Sequence, residues 1–109
     1  MRILLDESVP QKLRLLIGVG HSVMTTWFQG WSGLTNGALL NAAEQAGFDL
    51  LITADQEIRY QQNLAGRKLS LLVLSTNNWD AIKTNVASIV VAINKTTPGD
   101  YCELKIPFD

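Results

Sequence analysis

LITADQE, residues 51–57, decides how the rest of the chain is read. Leu51, Ile52, Thr53 and Ala54 are apolar enough for a buried strand, and Asp55, Gln56 and Glu57 follow at once. The N-terminal stretch RILLDES, residues 2–8, does the same: Ile3, Leu4 and Leu5 run into Asp6 and Glu7. Two short core strands that each end in acid put carboxylates at the strand mouths, where an open α/β sheet gathers its ligands.

Outward from these two stretches the hydrophobic period alternates between strand-like and helix-like, which predicts an α/β protein. Arg2–Leu5 reads as the first strand. SVPQKLRLLIGVG follows as a helix, with Ser8 as N-cap, Pro10 in the first turn and Gln11 three residues after the cap. Leu13, Leu16 and Ile17 form its apolar stripe, and Gly18 and Gly20 end it. His21–Thr26 is a second strand, followed by the aromatic, glycine-rich loop WFQGWSGL. Thr35 or Asn36 caps a helix running to about Ala46, with Leu39, Leu40 and Ala43 facing inward. Phe48–Thr53 is the third strand and DQEIRYQQN a short helix. Leu69–Ser75 is the most clearly buried strand. Asn77 or Asn78 then caps a long helix with Trp79, Ile82, Val86, Ile89, Val90 and Ile93 on its inner face. TPGD breaks it, and Tyr101–Ile106 alternates like a half-exposed edge strand. The expectation is one domain over residues 1–109, a three-layer α/β/α Rossmann-like fold around a mostly parallel sheet of about five strands.

Composition narrows the function. The 109 residues suffice for one core. A hydrophobic content of 47% with 17% charged residues excludes disorder. VASIVVAI, residues 86–93, is too short to span a membrane, and the N-terminus lacks the pattern of a signal peptide. A single cysteine, Cys102, forms no internal disulfide; a reducing cytoplasm and a small inert core residue are the expectations. The net charge of −1 gives no general attraction to nucleic acid, so a polyanion must be met locally or through a metal.

Strands separated by helices lie parallel, and with the first strand central its neighbours are the second and third. Asp6 and Asp55 then sit past adjacent strand ends, ~5 Å apart as strands. Converging carboxylates repel unless a cation lies between them, and hard oxygen ligands favour Mg²⁺ or Mn²⁺ over zinc. Glu7 and Glu57 are candidate outer ligands or water-holders. The plainer reading is that these acids are solvated helix caps.

The same residues carry a resemblance. MRILLDESVPQKLRLLIGVGHSV, followed by GLTNGALLNAAEQAGFDLLITADQEI, resembles the small PIN-like domains related to toxin-type ribonucleases, VapC-like toxins among them. The resemblance implies a Mg²⁺- or Mn²⁺-binding acidic pocket, metal-dependent RNA cleavage and a cognate antitoxin partner. It assigns Asp6 and Asp55 as metal ligands and Glu7 as the acid beside the first. Where the family usually has another acid at the start of the helix after the second strand, this chain has NGALL. Asn36 stands there, able to offer a neutral oxygen but no charge. The implied chemistry is a metal-activated water attacking a phosphodiester in line, with Glu7 or Glu57 accepting a proton. RNA, an antitoxin and a second copy of the chain are the expected partners, and a membrane is not.

Other residues read both ways. Lys12, Arg14, Arg59, Arg67 and Lys68 are candidate phosphate contacts, or simply solvated helix faces. Trp27, Phe28 and Trp31 suit core or lid packing first, and an interface or base stacking second. Thr53 shares a strand face with Asp55 and can bond a carboxylate or a metal-bound water. His21 reads as structural and Glu44 as solvent-exposed. Two further functions stay open. One is a receiver-like signalling module using Asp6, Glu7, Asp55, Thr76 and Lys105, although Lys105 falls within the last strand pattern. The other is a catalytically silent PIN-like scaffold, suggested by Asn36.

Overall fold

The structure, a computed structural model, describes residues 1–58 and 66–107, with the backbone but not the side chain of Asn36. Among the described residues the strands are β1 (Arg2–Leu5), β2 (Ser22–Thr25), β3 (Leu50–Thr53), β4 (Ser70–Leu74) and β5 (Tyr101–Leu104). They form one sheet in the order β2-β1-β3-β4-β5, every neighbouring pair parallel. The first strand is interior, between the second and the third: Ile3 is level with Val23 on one side and Leu50 on the other.

The two-residue period of the strands divides the core between the sheet's faces. Ile3, Leu5, Leu50, Ile52, Leu72 and Leu74 point one way. They pack on Leu13 and Ile17 around α1 (Arg14–Ile17), and on Ile82, Ile89 and Ile93 of α4 (Trp79–Thr84) and α5 (Val86–Asn94). Leu4, Leu51, Leu71 and Val73 point the other way, onto Leu39, Leu40 and Ala43 of α3 (Asn36–Gln45). Helices therefore cover both faces, in an α/β/α layering. β3 and β4 are buried along their whole length, as strands covered on both sides must be. Among the described residues, no helix is long and apolar enough to cross a membrane.

Five local expectations give way, each for a physical reason. Ser8 does not cap a helix: Pro10 takes that position before a 3₁₀ turn, Gln11–Leu13, and the Ser8 hydroxyl is used elsewhere. Leu16 is 40% exposed, because α1 is a single turn and only Leu13 and Ile17, at i and i+4, reach the sheet. The aromatic loop contains a helical turn, α2 (Thr26–Gln29), capped by the Thr25 hydroxyl, which accepts from the Phe28 N–H, and closed by Gly30 at φ 77°. The long helix is two: Asn78 caps α4, and Asn85 interrupts it with φ −107° while its side-chain amide donates back to the Ala81 carbonyl. Cys102 is exposed: it is level with Leu72 on the edge strand β5 and lines an open cavity beside Val91 and Ala92 of α5. Of DQEIRYQQN, residues 59–63 lie outside the described residues, and Arg59 with them.

Candidate functional site

At the carboxyl end of β1 the ladder runs one residue past the strand, where the Asp6 N–H donates to the Ile52 carbonyl at 2.9 Å. A turn then lifts the chain off the sheet, the Val9 N–H donating to the Asp6 carbonyl at 3.0 Å. The half-buried Asp6 carboxylate is thus held beside the end of β3. Its Oδ2 accepts two hydroxyls, from Ser8 at 2.7 Å and from Thr53 at 2.8 Å. Each hydroxyl in turn accepts a backbone N–H of the chain leaving β3, Ser8 from Ala54 at 3.0 Å and Thr53 from Asp55 at 3.1 Å.

Proton counting fixes the roles. Each hydroxyl has one hydrogen, and both are spent on Asp6. With both hydrogens directed at Asp6, the 3.3 Å approach of Ser8 Oγ to Thr53 Oγ1 is a contact between two acceptors. Thr53 has no exposed surface, so its hydroxyl needs these partners. The result is two short relays, amide to hydroxyl to carboxylate, in which each bond polarises the next. Asp6 Oδ1 accepts no hydrogen bond among the described residues.

Asp55 leaves β3 two residues past Thr53 and is half-buried. Its Oδ1 accepts the Glu57 N–H at 2.9 Å, a local Asx turn. Between them Gln56 bridges to the next strand, its side-chain amide donating to the carbonyls of Ala54 and Leu74. Glu7 and Glu57 are exposed. Glu7 Oε1 accepts the Gly33 N–H at 3.2 Å, which ties the loop after α2 to the residue following Asp6. Asn36 opens α3, and because α3 runs back toward the start of β3 its first turn lies at the same end of the sheet as Asp6 and Asp55.

The described residues thus join Asp6 to the backbone of Asp55 through Thr53, tie the Glu7 side chain to Gly33, and use the Glu57 N–H in the turn at Asp55. No group of three or more His, Cys, Asp or Glu side chains among them is arranged around a cation position. The donor chemistry is nonetheless that of a hard cation. Carboxylates and hydroxyls are present with no thiol or imidazole beside them, and Mg²⁺ needs only one or two protein carboxylates because it keeps its waters.

Two contributors escape a reading by sequence. Ser8 looks like a helix cap, yet DES and TAD each place a hydroxyl two residues from an acid, and those hydroxyls meet. Gln56 gives no signal, since its role depends on β4 lying beside β3. Among the other candidates, Lys12 stacks over Trp79 at 5.9 Å and Arg67 pairs with Glu44 at 3.3 Å, so Glu44 is partly covered. His21 Nδ1 lies 3.2 Å from the N-terminal amine, a structural placement. Trp31 packs edge-on against Phe48 at 6.1 Å, as core packing predicts, but Trp27 and Phe28 are each 68% exposed, against it. Lys105 follows β5 and is not part of it.

No protein-family model, characterised protein or solved structure gives a match to this chain.

Proposed function

We propose that the protein is a metal-dependent ribonuclease of the PIN-like type, with Asp6 and Asp55 holding Mg²⁺ or Mn²⁺. One observation carries the reading: these acids leave adjacent parallel strands where the crossover direction reverses, and the Thr53 hydroxyl joins the Asp6 carboxylate to the Asp55 N–H. Asp6, Asp55 and the neutral Asn36 are the residues that would hold the cation. When bound, it supplies positive charge to the phosphoryl oxygens and lowers the pKa of a coordinated water.

The chain's own groups do the rest. Ser8 and Thr53 fix the Asp6 carboxylate through one oxygen, which leaves Oδ1 for a ligand. The Asx turn at Asp55 and the Gln56 bridge hold the chain that carries the second acid. Glu7 and Glu57, both exposed, are the candidates to take a proton from the attacking water. With Asn36 in place of a family acid, the site carries one fewer charge, which favours a single ion. An antitoxin protein is the partner this reading brings with it, and a homodimer the assembly.

The experiment is Mg²⁺ or Mn²⁺ titration with single-stranded RNA. Cleavage should appear with metal and fall about a hundredfold or more in Asp6→Asn and in Asp55→Asn, the scale of removing a charged group from a catalytic site. Metal-independent cleavage, or cleavage unchanged in both variants, contradicts it.

A receiver-like module keeps one specific support. Lys105 lies just past β5 and lines, with Ser75 and Gln56, a groove of about 560 Å³ at the carboxyl ends of the later strands. Phosphorylation of Asp55 by a small phosphodonor, without RNA cleavage, selects that reading. Absence of both activities with tight binding of an antitoxin-like protein selects the silent scaffold.

A further inference from the structure

Trp27 and Phe28 stand in a setting that the acid pair does not explain. The turn that bears them is held at both ends: the Phe28 N–H donates to the Thr25 hydroxyl at 3.1 Å and the Gly30 N–H to the Trp27 carbonyl at 3.1 Å. Below it the Trp31 N–H donates to the Thr26 carbonyl at 2.8 Å, and Trp31 itself packs on Phe48. A fixed backbone therefore presents two aromatic rings to solvent, each 68% exposed. They line a cavity of about 280 Å³ with Gln11, Arg14, Val23 and Met24, small for a drug-sized ligand and suited to one planar ring. Its rim has a guanidinium and, among the described residues, no carboxylate.

Position adds the second half. Leu5 is level with Thr25, so the chain leaves β1 at Asp6 and β2 at Thr26 on the same rim, one strand apart. The Glu7–Gly33 hydrogen bond fastens the loop after α2 to that rim. We infer that this cleft is the base-binding subsite for single-stranded RNA: an unpaired base stacks on Trp27 or Phe28, and Arg14 takes a neighbouring phosphate. The inference rests on the ribonuclease reading and names its substrate class. A duplex keeps its bases stacked on each other and cannot offer a free face, so the cleft selects unpaired RNA. The recognition is tolerant of sequence, because every base has a π-face.

The test measures binding without cleavage. Wild-type protein in EDTA is titrated against an oligouridylate of about ten nucleotides, within the usual span of such sites, and against an abasic oligomer of the same length and charge. Fluorescence anisotropy gives affinity. The wild type should prefer the base-bearing oligomer by about tenfold or more. Trp27→Ala and Phe28→Ala together should remove most of that preference, Trp27→Ala alone a large part of it, and Trp27→Tyr, which keeps a ring, should restore it. Arg14→Ala should weaken both oligomers equally and flatten the salt dependence. Circular dichroism confirms that each variant folds, as exposed positions allow. Equal binding of the two oligomers by the wild type, tighter binding of duplex, or a preference unmoved by Trp27→Ala overturns the inference. So does loss of self-association in Trp27→Ala with RNA binding intact, which would make the cleft a protein interface. The two readings fail separately. Base-selective binding without metal-dependent cleavage removes the nuclease and keeps the subsite, whereas cleavage with kcat/KM unchanged in Trp27→Ala removes the subsite and keeps the nuclease.

Discussion

The ends of β1 and β3 are written alike, an apolar run closed by acid, and are built differently. At the end of β1, Asp6 reaches across to the neighbouring strand and spends one oxygen on two hydroxyls. At the end of β3, Asp55 bonds within its own turn, to the N–H of Glu57. The first carboxylate braces the sheet; the second shapes a loop. A carboxylate in a brace has a structural duty as well as a charge, so its removal confounds folding with function, whereas the N–H that Asp55 accepts belongs to an exposed turn. The pair therefore offers a way to separate the two contributions.

Asp6→Ala tests the brace most severely. It strips the acceptor from two hydroxyls, one of them fully buried, and should cost about 2–4 kcal/mol of stability in denaturant unfolding. Asp6→Asn keeps an oxygen acceptor but loses its charge, so about 1 kcal/mol is expected, since charge-assisted bonds are roughly twice as strong as neutral ones. Equal losses in the two variants would show that the brace needs the charge rather than the acceptor. Thr53→Val, similar in volume, removes one donor and leaves the Asp55 N–H without its partner; about 1–2 kcal/mol is expected. Asp55→Ala, which takes the acceptor from the Glu57 N–H, should cost about 1–2 kcal/mol, less than Asp6→Ala, and yet abolish metal-dependent cleavage. A stability loss as large as that of Asp6→Ala would erase the distinction between brace and loop.

Asp100 gives the smallest effect and serves as a control, a turn-bound carboxylate at the opposite end of the sheet, just before β5. The N–H of Thr97 donates to it at 2.7 Å and the Thr97 hydroxyl at 2.8 Å, and these bonds hold its carboxyl below the ordinary value of 3.8. A carboxyl depressed by folding stabilises above its unfolded pKa, and that contribution is lost as pH falls through the folded value. The difference in urea midpoint between the parent and Asp100→Ala should thus be constant near neutrality and shrink below the ordinary carboxylate range. Cleavage should be unaffected by the substitution.

The layering was legible in the sequence because its signals are local and repeated: apolar runs for β1, β3 and β4, a stripe at i, i+1 and i+4 for α3, and Asn78 at a helix start. The interior place of β1 followed from the parallel crossovers. What escaped depended on partners far along the chain. Ser8 obeys the pattern of a cap, and only the approach of Ala54 and Thr53 diverts it. Leu16 fits a helical stripe, but one turn of helix is too short to bury it. Cys102 looked like core because its type usually is, and its place on an edge strand, beside an open cavity, overrules that preference. The exposure of Trp27 and Phe28 could not be read either, since two caps and the anchor at Trp31 decide which way the turn faces.

The central claim is that Asp6 and Asp55 serve one cation, and Mn²⁺ binding followed by electron paramagnetic resonance addresses it most directly. The account predicts one bound ion per chain, an affinity at least about tenfold weaker in Asp6→Asn and in Asp55→Asn alike, and weaker again in the double variant. An affinity left intact by Asp55→Asn, or two bound ions of which each substitution removes one, would mean that the two carboxylates do not share an ion.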